Sequence, residues 1–150
     1  MKNIRYHVIL ALLIISLISS IMLSSSPISL ICNISSGCET VHYSDYNYTF
    51  GIQNSHYGVV IFSLLVLLLF SYLINPTQNK KALINLAIIG GSLVALYFLY
   101  IQHFVIEAYC RYCLIVDASV IICLILILPE LKKGFSSLKI KNEENIATGG

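Results

Sequence analysis

Four long apolar stretches limit what this chain can fold into more than any other feature of its sequence. Each is close to the ~20 residues that an α-helix needs to cross a hydrocarbon core about 30 Å thick. The chain is 57% hydrophobic and only 11% charged, and a soluble domain of this size does not need so much apolar surface. A proline follows three of the stretches, as is typical of a helix end. The stretches cover residues 6–23, 57–74, 83–101 and 109–128, and the prolines are Pro27, Pro76 and Pro129.

The basic residues predict the orientation of these helices. With four crossings, both termini and the loop between the second and third helices share one side of the membrane. Eight of the nine basic residues fall on that side, and only Arg111 falls on the other. Because loops rich in Lys and Arg stay in the cytoplasm, we predict cytoplasmic termini and an outward-facing loop over residues 24–56. A cleaved signal peptide is the alternative for the first stretch, since Lys2 and Arg5 precede it, but no small-x-small cleavage site follows.

The sequence therefore predicts an all-α membrane protein, a four-transmembrane-helix bundle with an outward-facing loop between helices 1 and 2. The bundle is expected over residues 1–130, and residues 131–150 are expected to form a short polar cytoplasmic tail. The chain shows no P-loop, no dinucleotide-binding glycine pattern and no basic–aromatic patch. We therefore expect membrane lipid around the protein and no nucleic acid partner.

Four of the five cysteines fall on the predicted outer side of the cell membrane, where disulfides form and persist. Cys32 and Cys38 lie in the long outward loop, and the five residues between them suit a loop that can close on itself. Cys110 and Cys113 form a Cys-x-x-Cys motif at the outer end of the fourth helix. There the helix dipole and the adjacent Arg111 favour a thiolate. Since the thiolate is the species that attacks disulfides, this pattern indicates thiol–disulfide exchange.

Other interpretations of the cysteines stay open. Two structural disulfides would use the same four residues, although a disulfide within one helical turn is strained and easily reduced. A zinc site with four cysteine ligands would also use them, but we predict no metal because the cysteines face an oxidising space. A non-catalytic membrane scaffold is the corresponding alternative function. The fifth cysteine, Cys123, lies deep in the fourth helix and is expected to be a small buried apolar residue.

The order and context of the cysteines resemble the vitamin K epoxide reductase-like family, including its microbial members. The resemblance covers most of the chain, from the first helix to the fourth. In the DsbB family, which does similar chemistry, the Cys-x-x-Cys pair comes in the first outward loop; here the wider pair comes first. The segments that carry the resemblance are Cys32-x5-Cys38, Ser44, residues 49–52 (Thr-Phe-Gly-Ile), residues 54–58 (Asn-Ser-His-Tyr-Gly) and Cys110-Arg-Tyr-Cys113.

This resemblance implies a membrane thiol–disulfide oxidoreductase that passes electrons to a quinone of the menaquinone or ubiquinone type. Cys32 would accept electrons from a thioredoxin-fold oxidase, which we expect to act in trans. Cys38 would resolve the mixed disulfide and pass the electrons to Cys110, and Cys113 would face the quinone. The protein would thereby support disulfide-bond formation in secreted proteins. A quinone-epoxide reductase with the same cysteines is the alternative activity.

The resemblance also implies a quinone-binding site. Ser44 matches a loop serine near the family's active site, and Phe50 lies in the segment that caps the ring. Asn54 matches an asparagine that hydrogen-bonds a quinone carbonyl in some members. The chain departs from the family at Gln53, where many microbial relatives have proline, and at Asp117, where animal members have a tyrosine that contacts the quinone. Because an aspartate in a membrane helix is costly unless it faces the interior, Asp117 either carries a proton for the quinone or reaches the interface.

Overall fold

A computed structural model of the protein describes the backbone of residues 2–25 and 37–148 and the side chains of residues 4–25, 37 and 40–132. Four of the described helices are long and apolar enough to cross a membrane. This confirms the predicted four-helix fold, and the chain is a multi-pass membrane protein. The elements are α1 (Lys2–Ser25), α2 (Cys38–His42), a 3-10 helix (Asp45–Asn47), β1 (Tyr48–Thr49), β2 (Ile52–Gln53), α3 (Asn54–Ile74), α4 (Gln78–Phe104) and α5 (Arg111–Thr148).

The four long helices form a ring in which each packs against two neighbours. Helix α1 contacts α3 and α5, and α4 contacts α5 and α3. Large apolar side chains also cover the outside of the ring, where Leu64 is 62% exposed and Leu86 is 66% exposed. Hydrocarbon solvates such side chains, and helices satisfy their own backbone groups there. The interior of the bundle is centred on buried residues from all four helices, including Ile9, Leu69, Ile88 and Ile127.

Small residues bring α1 and α3 close together. Gly58 lies against Ser20, and a Cβ added to the glycine would lie 2.8 Å from the serine Oγ. Lipid tails are as apolar as leucine, so membrane helices associate through close packing of small residues rather than through the hydrophobic effect. The contact sets how near α3 approaches α1, close to the start of α3.

The last helix is longer than the sequence predicts. Pro129 is expected to end it, with a polar tail beyond, but α5 continues through Pro129 to Thr148. A proline removes one backbone hydrogen bond from a helix, and polar neighbours can compensate for the loss in a membrane bundle. The next residue, Glu130, pairs with Lys81 of α4 and lies 3.8 Å from Arg5 of α1. These ion pairs hold α5 against the bundle at this point, and the predicted helix end at Pro129 is wrong.

The segment between α1 and α3 carries a two-stranded antiparallel hairpin. Thr49 pairs with Ile52, and the two turn residues, Phe50 and Gly51, both have positive φ, at 54° and 78°. A two-residue turn with this geometry matches the twist of the flanking strands. Glycine adopts such a φ without strain, whereas a bulky phenylalanine rarely does. The hairpin leads directly into Asn54, the first residue of α3.

Candidate functional site

The Cys-x-x-Cys motif lies at the N-terminus of α5, as the sequence predicts. Cys110 immediately precedes the helix and Cys113 lies in its first turn, with 2.7 Å between the two Sγ atoms. The backbone N–H of Cys113 also donates to the Cys110 Sγ at 3.3 Å. The Cys110 sulfur therefore takes the place of an N-cap oxygen and satisfies a backbone donor that the helix leaves unpaired.

Cys110 is the sulfur of this pair that favours the thiolate. The hydrogen bond from the Cys113 thiol lowers the pKa of Cys110 to about 7, from an ordinary value of 9.0, although burial acts in the opposite direction. Backbone N–H groups of the first helical turn lower it further. The lowered pKa favours a thiolate at Cys110 in the reduced protein, the form that is ready for exchange.

Helix α2 covers Cys110. Only 1% of Cys110 is exposed, and it packs with Val41 of α2. Gly37, just before α2, has φ 63°, and a Cβ there would lie 3.1 Å from the backbone nitrogen of Tyr109. The backbone that leads into Cys38, the first residue of α2, is therefore packed on the backbone that leads into Cys110.

The outer pair is only partly covered by the structure. Cys32 lies outside the described residues, and so does the side chain of Cys38. The exchange between Cys38 and Cys110 accordingly stays a prediction, which the packing of α2 on Cys110 supports.

A cavity of about 620 Å³ lies beside Cys113, among side chains of the four long helices and the hairpin segment. Sites for small organic molecules generally measure roughly 300–1,000 Å³. The wall is mostly apolar, and no Lys, Arg or His occurs among the described residues that line it. Such a cavity fits an uncharged, largely apolar molecule with few polar atoms. Its apolar wall includes Leu13, Phe62, Leu65, Ile88, Val94 and Val116.

All four residues predicted to bind the quinone line this cavity: Ser44, Phe50, Asn54 and Asp117. The hydroxyl of Ser44 donates to the Val41 carbonyl at 2.7 Å and so closes the turn after α2. Phe50 borders the cavity from the hairpin tip, where it is 97% exposed. The structure thus gathers these side chains and Cys113 around one space, while their contact with a quinone stays a prediction.

The Asn54 amide is held in place by the hairpin segment. Its Oδ1 accepts a hydrogen bond from the Thr49 hydroxyl at 2.7 Å, and its Nδ2 donates to the Tyr46 carbonyl at 2.9 Å. An amide nitrogen carries two hydrogens. One N–H of Asn54 therefore remains to donate to a ligand carbonyl in the cavity.

Gln53 keeps the backbone geometry that a proline would have at this position. Its φ is −65°, the value to which the proline ring fixes the backbone. Its side chain reaches His42 of α2, with 3.0 Å between the Gln53 Nε2 and the His42 Nδ1. A proline would therefore fit this backbone, and the glutamine side chain adds a contact to α2.

Asp117 faces the interior of the bundle and does not reach out to the interface, while a role as proton carrier stays a prediction. It is 6% exposed and lies one helical turn after Cys113, on the same face of α5. The Nε2 of Gln102 donates to the Oδ2 of Asp117 at 3.5 Å, the outer limit of a hydrogen bond. The Oε1 of the same glutamine accepts a hydrogen bond from the backbone N–H of Cys110 at 3.2 Å. The sequence analysis does not single out Gln102. The signal that could have found it is a polar amide within the apolar helix α4.

A family model described as the Vitamin K epoxide reductase family matches residues 7–128 of the chain. A search of curated proteins and a search of solved structures each gave no match.

Proposed function

The chain belongs to the vitamin K epoxide reductase family, whose members are oxidoreductases, and from this premise we propose that it oxidises a thioredoxin-fold partner and reduces a quinone. The observation that carries the proposal is the position of Cys113, which borders an apolar cavity and lies 2.7 Å from the sulfur of Cys110. Such a cavity suits a quinone of the menaquinone or ubiquinone type dissolved in the membrane.

The first half of the reaction is exchange between the two cysteine pairs. Cys38 as thiolate attacks the sulfur of Cys110 in the Cys110–Cys113 disulfide and releases the Cys113 thiol. Cys32 then attacks Cys38, which closes the outer disulfide and releases Cys110. Because the leaving thiol departs faster when its pKa is low, the lowered pKa of Cys110 supports its place as the inner partner. A reduced thioredoxin-fold protein regenerates the outer dithiol in trans.

The second half returns the inner pair to its disulfide. Asn54 orients the quinone by donating its spare N–H to one ring carbonyl. Two electrons leave Cys110 and Cys113 as their disulfide bond forms, and the quinone accepts them. Repeated cycles keep the partner oxidised, so that it can introduce disulfides into secreted proteins.

The distribution of charge supports a site on the outer face of the membrane. Arg5 and Lys81 pair with Glu130, which follows Cys110 by twenty residues along α5. At 1.5 Å per residue these residues lie about 30 Å from the cysteines, the thickness of a hydrocarbon core. Since basic residues mark the cytoplasmic side, we place the cysteines on the other side and both termini in the cytoplasm.

Complementation tests the proposal directly. The protein is expressed in bacteria that lack their own quinone-linked thiol oxidase, and disulfide formation is measured in a secreted reporter. We expect the wild type to restore it and Ala variants of Cys32, Cys38, Cys110 and Cys113 to fail. The matched control is Ser119→Ala, which changes a buried residue of α5 that is not among the described residues lining the cavity, and it should complement. Four single variants that all behave like the wild type would refute the proposal.

A further inference from the structure

Asp117 and Gln102 form a buried polar pair that the exchange steps do not use. Gln102 is 3% exposed and Asp117 is 6% exposed, and both line the cavity beside Cys113. Ionisable side chains inside a membrane are costly to keep and generally mark sites of function. The pair is therefore a candidate functional site within the cavity.

The surroundings of Asp117 favour its uncharged form. Its hydrogen-bond donor is the neutral amide of Gln102, and no Lys, Arg or His is found among the described residues lining the cavity. A carboxylate without a positive partner is strongly disfavoured in an apolar space, whereas a carboxylic acid is tolerated there. Asp117 is therefore a candidate proton donor facing the cavity.

The electron transfer leaves a demand for one proton. Reduction of a quinone to a quinol takes two electrons and two protons. When Cys110 is a thiolate, the inner pair contributes two electrons but only the single proton of the Cys113 thiol. The second proton must come from another group at the cavity wall.

Resting on the proposed function, we infer that Asp117 donates this second proton to the quinone and that Gln102 is the positioning residue that aims its carboxyl. The Cys110–Cys113 disulfide bond forms, and its two electrons pass to the quinone. One proton leaves the Cys113 thiol and the other leaves the Asp117 carboxyl. Asp117 ends as a carboxylate and regains a proton from solvent after the quinol departs, which replaces the proton that Cys110 released on becoming a thiolate.

The orientation of Gln102 is fixed by the motif itself. The Cys110 backbone N–H can only donate, so it holds the Oε1 of Gln102 and turns the Nε2 towards Asp117. The Oδ2 of Asp117 receives that N–H, which leaves the other carboxyl oxygen to carry the transferable proton. One amide therefore ties the proton donor to the cysteine pair that supplies the electrons.

The test separates the two half-reactions in Asp117→Asn, a variant that keeps the size and polarity of the side chain but has no acidic proton. Purified protein in detergent is reduced, freed of reductant and mixed with ubiquinone-1 or menadione. We expect the maximal rate of quinol formation to fall on the order of 100-fold, with KM changed by about twofold or less. Reduction of the inner disulfide by dithiothreitol without quinone should keep its wild-type rate.

Infrared spectroscopy gives a readout that does not depend on turnover. The reduced wild type without quinone should show the carbonyl stretch of a protonated carboxyl, which Asp117→Asn removes. Gln102→Met deletes both amide contacts and should shift this band without abolishing it. Asp117→Glu keeps an acidic proton and should reduce the quinone faster than Asp117→Asn. The control is Ser119→Ala, at a residue of similar burial that is not among the described residues lining the cavity.

Each outcome is decisive for one of the two hypotheses. A wild type that reduces neither quinone overturns the proposed function. An active wild type with an equally active Asp117→Asn overturns proton donation and leaves the proposed function standing. Loss of both half-reactions in Asp117→Asn, or absence of the carboxyl band from the wild type, likewise overturns proton donation.

Discussion

The Cys113 thiol is the largest influence that lowers the pKa of Cys110, and its removal gives a sharp prediction. In Cys113→Ala the thiol hydrogen bond is lost while the backbone N–H of residue 113 stays in place. Burial then acts with less opposition, and the pKa of Cys110 should rise from about 7 towards or above its ordinary value of 9.0. A rise of two units corresponds to about 3 kcal/mol. At pH 7 the thiolate fraction should fall from about one half to about one hundredth.

The assay is the pH dependence of Cys110 alkylation. Cys32, Cys38 and Cys123 are first replaced by serine, so that Cys110 and Cys113 are the cysteines left. In Cys113→Ala the midpoint of the alkylation profile should move to higher pH. Because a thiolate is the reactive form, the rate at pH 7 should fall on the order of fifty-fold.

Cys113→Ser is the matched control, since its hydroxyl can still donate to the Cys110 sulfur. Its midpoint should lie between those of Cys113 and Cys113→Ala. The ultraviolet absorbance of the thiolate provides a second measurement that does not depend on reagent access to the buried sulfur. An alanine variant that titrates at the same pH as the parent would show that the helix N-terminus alone sets the pKa of Cys110 and that the Cys113 thiol does not lower it.

Three further predictions concern the frame around the site. Asn54→Leu removes the amide that faces the cavity, and the KM for ubiquinone-1 should rise roughly tenfold, as loss of one buried hydrogen bond predicts. An unchanged KM would show that the quinone ring does not bind at Asn54. Gly58→Ala forces a Cβ to within 2.8 Å of the Ser20 hydroxyl and should destabilise the protein by about 1–3 kcal/mol in detergent unfolding, with partial recovery in the double variant that also carries Ser20→Gly. Glu130→Gln breaks the ion pair with Lys81 and should lower the melting temperature, because the pair contributes about 1 kcal/mol of stability. High salt should lower the stability of the wild type towards that of the variant and leave the variant unchanged.

The sequence was sufficient to predict the four helices and the location of the Cys-x-x-Cys motif. Membrane thickness fixes the length of an apolar stretch, and the motif falls where one such stretch begins, so Cys110 and Cys113 could be placed at a helix N-terminus without a structure. The end of the last helix could not be predicted in this way. Pro129 stops a helix in water more readily than in a bundle where Glu130 pairs with residues of two other helices.

The polar pair in the cavity depends on tertiary packing and could not be predicted. The side that Asp117 faces follows from the rotation of α5 about its axis, which packing against α1 and α4 determines. Gln102 reaches Asp117 because the end of α4 lies beside the start of α5. The two residues are fifteen positions apart in the chain. Neither the spacing nor the hydropathy of the sequence contains this contact.

The burial of Cys110 under α2 limits which thiols can reduce the inner cysteine pair. Disulfide exchange requires an incoming sulfur to approach along the line of the bond it breaks, and a sulfur that is 1% exposed offers no such approach to a bulky soluble thiol. The inner pair is in this sense shielded from the thiols of folded proteins. In the proposed cycle, electrons reach it from the outer cysteine pair of the same chain.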